Sequence, residues 1–543
     1  SLLLILALTL GGCTPNMAPS QSDVLPAPSA TPPVSAPEET VDPSPLSLYL
    51  LRDWETSDYT VLDREGNALL PRTYDRVDRI SEDRLGVAIR QPGDPDSSDF
   101  QAAVYRYALC DLSGNLLTDF QYSSMTVLEN GEGAVLGWGQ ARFDLLDTRT
   151  GEVFSSLPRP VESYLSAIDG GSYFLYSVYS PPSGKDRDAP STYTYSLYSL
   201  DSLRRGDLAP LWTVENAGYA DSSHPIDAGI LVSWGGYDGS DQSYQLMGPG
   251  GLYFSGKAYS GLQPFSEDLA AASEGGLWGY LDREGNWAIP PQFDNCTDFS
   301  QGYAAVCQNG VWGYIDARGE WLAQPRYTYA YPFEQGCANC EIRDGQTGQS
   351  TYYLLDQTGK ETELPGSLYN PFGQGEDYAL AYSWGKQADG EYHSNLWRVN
   401  RTGEAAYIGE YDVYFQSGNT AALSCYDPKT QTSSCGLYDF STGQWLVEPG
   451  VYQYFSQFNY TAEMSFRGGE QVNPYFAGCR TEWNTQLYDL LDLEGNVILE
   501  GCNSISFADD GRAVVKKGFS QGMMDFEGNW LYKRSIFTGM GAD

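Results

Sequence analysis

The chain is 543 residues long and sets 71 acidic side chains against 32 basic ones, a formal charge of −39. That balance excludes a nucleic-acid partner, because a phosphate backbone has to be met by a basic footprint. It suits a soluble surface protein that repels anionic membranes and polymers.

Residues 1–12 read as a signal peptide rather than as fold. Leu2 to Leu10 is an apolar run too short to cross a bilayer as a helix. The Leu10-Gly11-Gly12-Cys13 that follows resembles a bacterial lipoprotein cleavage site, with Cys13 as the lipidated residue. A basic segment and a starting Met are missing, so the signal is expected to be truncated. Residues 13–46 are rich in Pro, Ser, Ala and Thr, a composition that cannot bury enough apolar surface to fold. They are expected to be a tether that holds the body on the outer face of a membrane in a bacterial cell envelope.

The body starts near Ser47, and its first half is marked by one recurring turn, apolar-Asp-x-x-Gly. It occurs at Asp63 to Gly66, Asp111 to Gly114 and, one residue longer, Asp147 to Gly151. Asp bonds the backbone that follows it, and Gly takes the left-handed position. Two weaker versions, Leu200 to Gly206 and Leu246 to Gly250, continue the series. Pro92 to Asp99 and Pro181 to Pro190 read as surface insertions. Ala189 to Leu200, with Tyr193, Tyr195 and Tyr198, reads as strand with one face in water. Gly235 to Gly251 is the candidate internal seam.

The pattern becomes regular between Phe265 and Tyr327. Phe265-Ser266 returns as Phe299-Ser300, Trp278-Gly279-Tyr280-Leu281-Asp282 as Trp312-Gly313-Tyr314-Ile315-Asp316, and Gly285 as Gly319, each 34 residues on. A fixed period of this size marks a repeat architecture. Alternating or apolar runs of four to six residues and the Asn309-Gly310 hairpin dipeptide make each unit three or four short antiparallel strands. Trp287 and Trp321 recur with the same period and are expected to pack between units. These residues resemble the WG repeats of bacterial proteins. The resemblance implies a repeat scaffold found in secreted and cell-surface proteins, and it brings no catalytic residues with it.

Beyond the core the turn returns at Asp356, Asn400, Asp439, Asp492 and Asp525. Twelve turns from 63 to 525 give a mean spacing of 462/11, or 42 residues. Units of that size fit propeller blades, which protect their edges by closing radially. The expected fold is all-β and propeller-like in two lobes, 47–260 and 261–543, with an open β-solenoid as the alternative.

Chemistry is sparse. His224 and His393 are isolated and read as exposed loop residues, and neither Gly-x-Ser-x-Gly nor His-Glu-x-x-His occurs. Cys337-x-x-Cys340 lacks a second pair for zinc, and the two residues point to opposite faces of a strand. Asp94 to Asp99 and Asp238 to Asp241 lack calcium-loop spacing. No metal or cofactor is therefore expected. Cys296 with Cys307, and Cys425 with Cys435, flank loops symmetrically and are candidate disulfides; Cys110 is the candidate free thiol. Asp282 and Asp316 recur with the period and are assigned to their own turns. The expected function is a non-catalytic, lipid-anchored binding or scaffold module for an unknown protein or glycan. The alternatives are a carbohydrate-active hydrolase on a propeller with paired carboxylates and a periplasmic-type assembly factor.

Overall fold

The computed structural model describes residues 48–536, apart from 54–55, 82, 93–102, 129–132, 182–190, 236–241, 255–256, 374, 387–391, 428–431, 458–474 and 483–484. Cys13, the tether, the Asp94 to Asp99 and Asp238 to Asp241 clusters and most of the Pro181 to Pro190 insertion lie outside these residues.

Among the described residues the chain forms twelve antiparallel sheets in sequence order. Ten have four strands, the second has three and the first has two, Tyr49–Arg52 and Tyr59–Leu62. The first sheet is extended by bridges from Tyr59 to Tyr74 and from Leu62 to Ala68. The twelve turns read from the sequence fall one to a sheet, and in the four-stranded sheets they join the third strand to the fourth. Even the weak Leu200 version holds its place. It winds into a short helix, Leu200–Arg204, capped where Ser199 Oγ accepts from Ser202 N at 3.2 Å.

The regular units show why the repeat has these residues. Gln308 and Val311 are partners across a hairpin whose tip is Asn309 and Gly310, both at positive φ. Asp316 Oδ1 accepts from Arg318 N and Glu320 N, each at 2.9 Å, and Gly319 closes the turn at φ +80. The WG glycine serves the fourth strand. A Cβ on Gly313 would lie 2.6 Å from Ala323 O and 2.7 Å from Pro325 N, so only Gly lets that strand cross so close. Gly279 stands in the same relation to Ile289 O, at 2.5 Å. Ser266 and Ser300 donate to the carbonyls of Phe299 and Phe333, each 33 residues on, which links one unit to the next.

Every sheet packs its faces on its two neighbours, and twelve core clusters fill the twelve interfaces. Trp278 and Trp312 face forward onto the following sheet. Trp287 and Trp321 face back, Trp321 meeting Phe293 at 6.1 Å between centroids. A seam near residue 260 would leave a gap there. Instead Leu246, Phe254 and Tyr259 share one cluster with Leu262, Phe265 and Leu281, so packing is unbroken. The twelfth cluster joins the ends of the chain, Tyr49, Leu51 and Leu62 against Phe507, Val514 and Met523. The array is a closed propeller. The alternative of an open solenoid is set aside by this contact, which repeats the one found elsewhere: turn residue Gly66 lies on Leu531 as Gly359 lies on Leu322.

Three expectations are corrected. None of the nine described cysteines is in a disulfide. Cys296 is the partner of Val306 and Cys307 of Asn295, while Cys425 pairs with Ser434 and Cys435 with Ser424. In each case the register is one residue off, which points the two thiols to opposite faces. Tyr195 and Tyr198 are both buried, one in each of two successive clusters, so their strand has no wet face. His393 falls on a strand, Tyr392–Asn400, and not on a loop. His224 is exposed, with Nδ1 at 3.2 Å from Ser223 Oγ.

Candidate functional site

A cavity of about 720 Å³ opens where the eighth, ninth and tenth sheets meet. It exists because the ninth sheet is uneven. Its two middle strands, Tyr378–Lys386 and Tyr392–Asn400, have nine residues each, but its first strand is only Ser367–Leu368. That short strand pairs with Ala381 and Tyr382 and goes no further. The hairpin beyond it keeps its own pairing, Trp384 opposite Ser394, but has no neighbour on the first-strand side.

Tyr382 and Trp384 lie two apart on one strand and therefore share a face. Tyr369 meets Tyr382 edge to face, with centroids 6.5 Å apart at 75°. Tyr331 joins them from the eighth sheet and Tyr411 from the link into the tenth. Trp384 is 64% exposed, an unusual state for the largest apolar side chain. Polar groups fill the spaces between the rings: Asn339, Ser367, Asn370, Ser394, Glu334 and Asp412. Two side-chain bonds fix the walls to each other. Asn339 Nδ2 donates to Ser367 Oγ at 2.9 Å, and Asn370 Nδ2 donates to Gln416 Oε1 at 3.2 Å. Asn339 Oδ1 is buried without a hydrogen-bond partner.

Among the described residues, the cavity lining contains no Lys, Arg or His. Its one thiol, Cys337, is pushed up by burial, which outweighs the nearby Arg401 guanidinium at 3.8 Å and keeps it protonated. No group of three or more His, Cys, Asp or Glu side chains suited to a metal occurs among the described residues.

A family model described as "WG containing repeat" matches residues 278–312 and 312–339. Residues 278–339 carry WG repeats. A second model, "Domain of unknown function (DUF5046)", matches residues 452–543. No curated protein matches the chain significantly. Among solved structures, a eukaryotic initiation factor is similar at 10% identity and a TM-score of 0.33, covering 75% of this chain and 96% of that one. The β-propeller domain of the Trilobed protease from Pyrococcus furiosus is similar at 12% identity and a TM-score of 0.22, covering 63% and 96%. An acylaminoacyl peptidase from Pyrococcus horikoshii is similar at 10% identity and a TM-score of 0.25, covering 59% of this chain; 57% of its own length is spanned.

The cavity begins inside the WG repeats, with Tyr331, Glu334, Cys337 and Asn339, and continues into two irregular units. The eight repeat residues singled out from the sequence sit elsewhere. Trp278, Gly279, Asp282, Gly285, Trp312, Gly313, Asp316 and Gly319 build turns and interfaces, and none lines the cavity. Tyr382 and Trp384 were missed by reasoning from the period: Tyr382 stands in register where the regular units have Ser273 and Cys307, and Trp384 lies where the regular hairpin has already turned. A signal was present. Asp356 to Asn400 is 44 residues (400 − 356), ten more than the regular unit, and Trp384 lies where the excess begins, two residues after Tyr382.

Proposed function

We propose that the chain is a non-catalytic binding module whose ligand occupies the aromatic cavity of sheets eight to ten, and that a lipid on Cys13 holds it at the outer face of a bacterial membrane. The observation that carries the first part is the gathering of exposed rings around one cavity. Exposed aromatics gathered in one patch, unlike single scattered ones, mark a binding surface. Two of them, Tyr382 and Trp384, sit on the central hairpin of the ninth sheet, which packs on a neighbouring sheet on each face, so the platform is preformed. The anchoring part rests on Leu10-Gly11-Gly12-Cys13 and the tether.

The test is a thermal-shift panel on the full chain with defined oligosaccharides, polysaccharides and peptides. A ligand that raises the melting temperature of the parent protein but not of Trp384→Ala supports the reading; a panel without any such ligand overturns it for these classes. For the anchor, Cys13→Ser expressed with a complete lipoprotein signal is expected to leave the membrane fraction and lose its lipid by mass spectrometry. A hydrolytic reading draws on Glu334 and Asp412 lining one cavity. Turnover of a bound glycan that both Glu334→Gln and Asp412→Asn abolish would replace the binding reading.

A further inference from the structure

Among the described residues, eight of the eleven exposed aromatic side chains fall between residues 329 and 426. Those residues belong to sheets eight, nine and ten, three of twelve. The rings spread beyond the cavity on both sides. Tyr329 lies at the edge of the eighth sheet, and Tyr414 and Tyr426 lie on the tenth. A compact ligand would leave most of these rings uncovered. An extended one would use them in sequence.

Resting on the binding reading above, we propose that this ligand is a segment of uncharged polysaccharide laid across the three sheets. A sugar ring offers an apolar C–H face to an aromatic ring and a rim of hydroxyls that both donate and accept. Trp384, Tyr382 and Tyr369 supply the ring faces. Asn370 and Ser394 offer groups that donate and accept, and the Glu334 and Asp412 carboxylates accept from hydroxyls. Among the described residues the lining holds no cation, and the whole chain carries −39, so a glycan with uronate, phosphate or sulfate groups is repelled. A cationic peptide is drawn by the same carboxylates, but one ammonium in the cavity leaves the rings on either side unused.

The experiment measures binding of the full chain by affinity electrophoresis and calorimetry. The probes are neutral polysaccharides (glucan, mannan, xylan), a uronate polymer and a set of cationic and neutral peptides. Trp384→Ala, Tyr382→Ala and Tyr329→Ala are run beside the parent protein, with melting temperatures to check that each is folded. The expected result is binding of at least one neutral polysaccharide, weakened roughly tenfold by Trp384→Ala and Tyr382→Ala, with no binding of the uronate polymer. Tyr329→Ala, outside the cavity lining, is expected to have the smaller effect. Trp384-dependent binding of peptides alone would overturn the glycan assignment and keep the binding reading. Equal binding of the uronate polymer would also overturn it. Absence of any Trp384-dependent ligand would overturn both.

Discussion

Two glycines of the same repeat do different work, and substitution separates them. Gly310 is held by its φ of +79 with open space around it, whereas Gly313 is held by the fourth strand lying on it. Gly310→Ala is expected to cost about 1 kcal/mol, as an L-residue in a left-handed position. Gly313→Ala must also move that strand and is expected to cost about 1–3 kcal/mol. Paired melting curves read the difference, and equal costs would show that the crossing strand gives way freely. The turn aspartates make a second residue-scale prediction. Burial alone would raise Asp316; the amides of Glu320 and Arg318 and the Arg318 guanidinium outweigh it and hold the carboxyl low. The same direction holds for Asp111, Asp147, Asp356, Asp439 and Asp525. A depressed folded value means that folding releases protons. This stability is complete above the unfolded value of about 3.9 and is lost as pH falls through the folded values. The melting temperature is therefore expected to hold from pH 7 to about pH 4.5 and to drop steeply below, with a shallower acid limb in Asp316→Asn. A decline already under way at pH 6 would contradict this assignment.

At the scale of one sheet, a single position decides how the fourth strand is held. Three residues before the turn Asp, the regular units have Gly279 and Gly313, but two other sheets have Asp144 and Asp489, only 1% and 3% exposed. Each acid is surrounded in the same way. Asp489 takes Tyr452 OH at 3.1 Å, Arg480 Nε at 2.6 Å and Gly501 N of the fourth strand at 2.7 Å. Asp144 takes Tyr122 OH at 3.1 Å, Arg142 Nε at 2.9 Å and Ser156 Oγ of its fourth strand at 2.6 Å. Close approach is replaced there by a bond reaching out to the strand. Asp489→Ala leaves Arg480, Tyr452 and an amide without their acceptor and is expected to cost about 3 kcal/mol. Asp489→Ala with Arg480→Met should recover part of that; a double variant no better than the single would show that the charge pair is not what matters. This position also shows the limits of reading by motif. The turns were legible because Asp and Gly there answer to local geometry, and they placed all twelve sheets. The acids that replace the WG glycine were not, because their partners lie on three different strands. The cysteines failed for a related reason. Symmetric flanking of a loop fixes distance along the chain, while face is fixed by register, and a slip of one residue reverses it. Thiol titration of the denatured, unreduced body is expected to find all nine thiols free, Cys13 aside.

For the molecule as a whole, the turns of the sequence marked twelve sheets and said nothing about whether they meet end to end. Closure depends on side chains more than 400 residues apart. Arg64 pairs with Asp510 at 3.1 Å, Gln521 Nε2 donates to Arg52 O at 3.1 Å, and Arg512 Nε donates to Arg64 O at 3.1 Å. Arg534 also pairs with Asp53. Because this joint repeats the others, its position along the chain is arbitrary. A permutant opened between Asn309 and Gly310, with residue 536 joined to residue 48 by a short flexible linker, is expected to keep the parent's circular dichroism and melt within a few degrees of it. Collapse of that permutant would mean that the order of units matters to the ring.

The joint also sets a clock on biosynthesis. Eleven interfaces form between sheets made one after the other, so each apolar face is covered soon after it emerges. The outer face of the first sheet, with Tyr49, Leu51 and Leu62, is the exception, since its cover begins at Phe507, 456 residues later (507 − 51). At a synthesis rate of roughly 5–20 residues per second, that face waits about 20 to 90 s. During that interval the nascent chain carries an uncapped sticky face on its first sheet, the place where a chaperone, or a second unfinished copy, would first take hold.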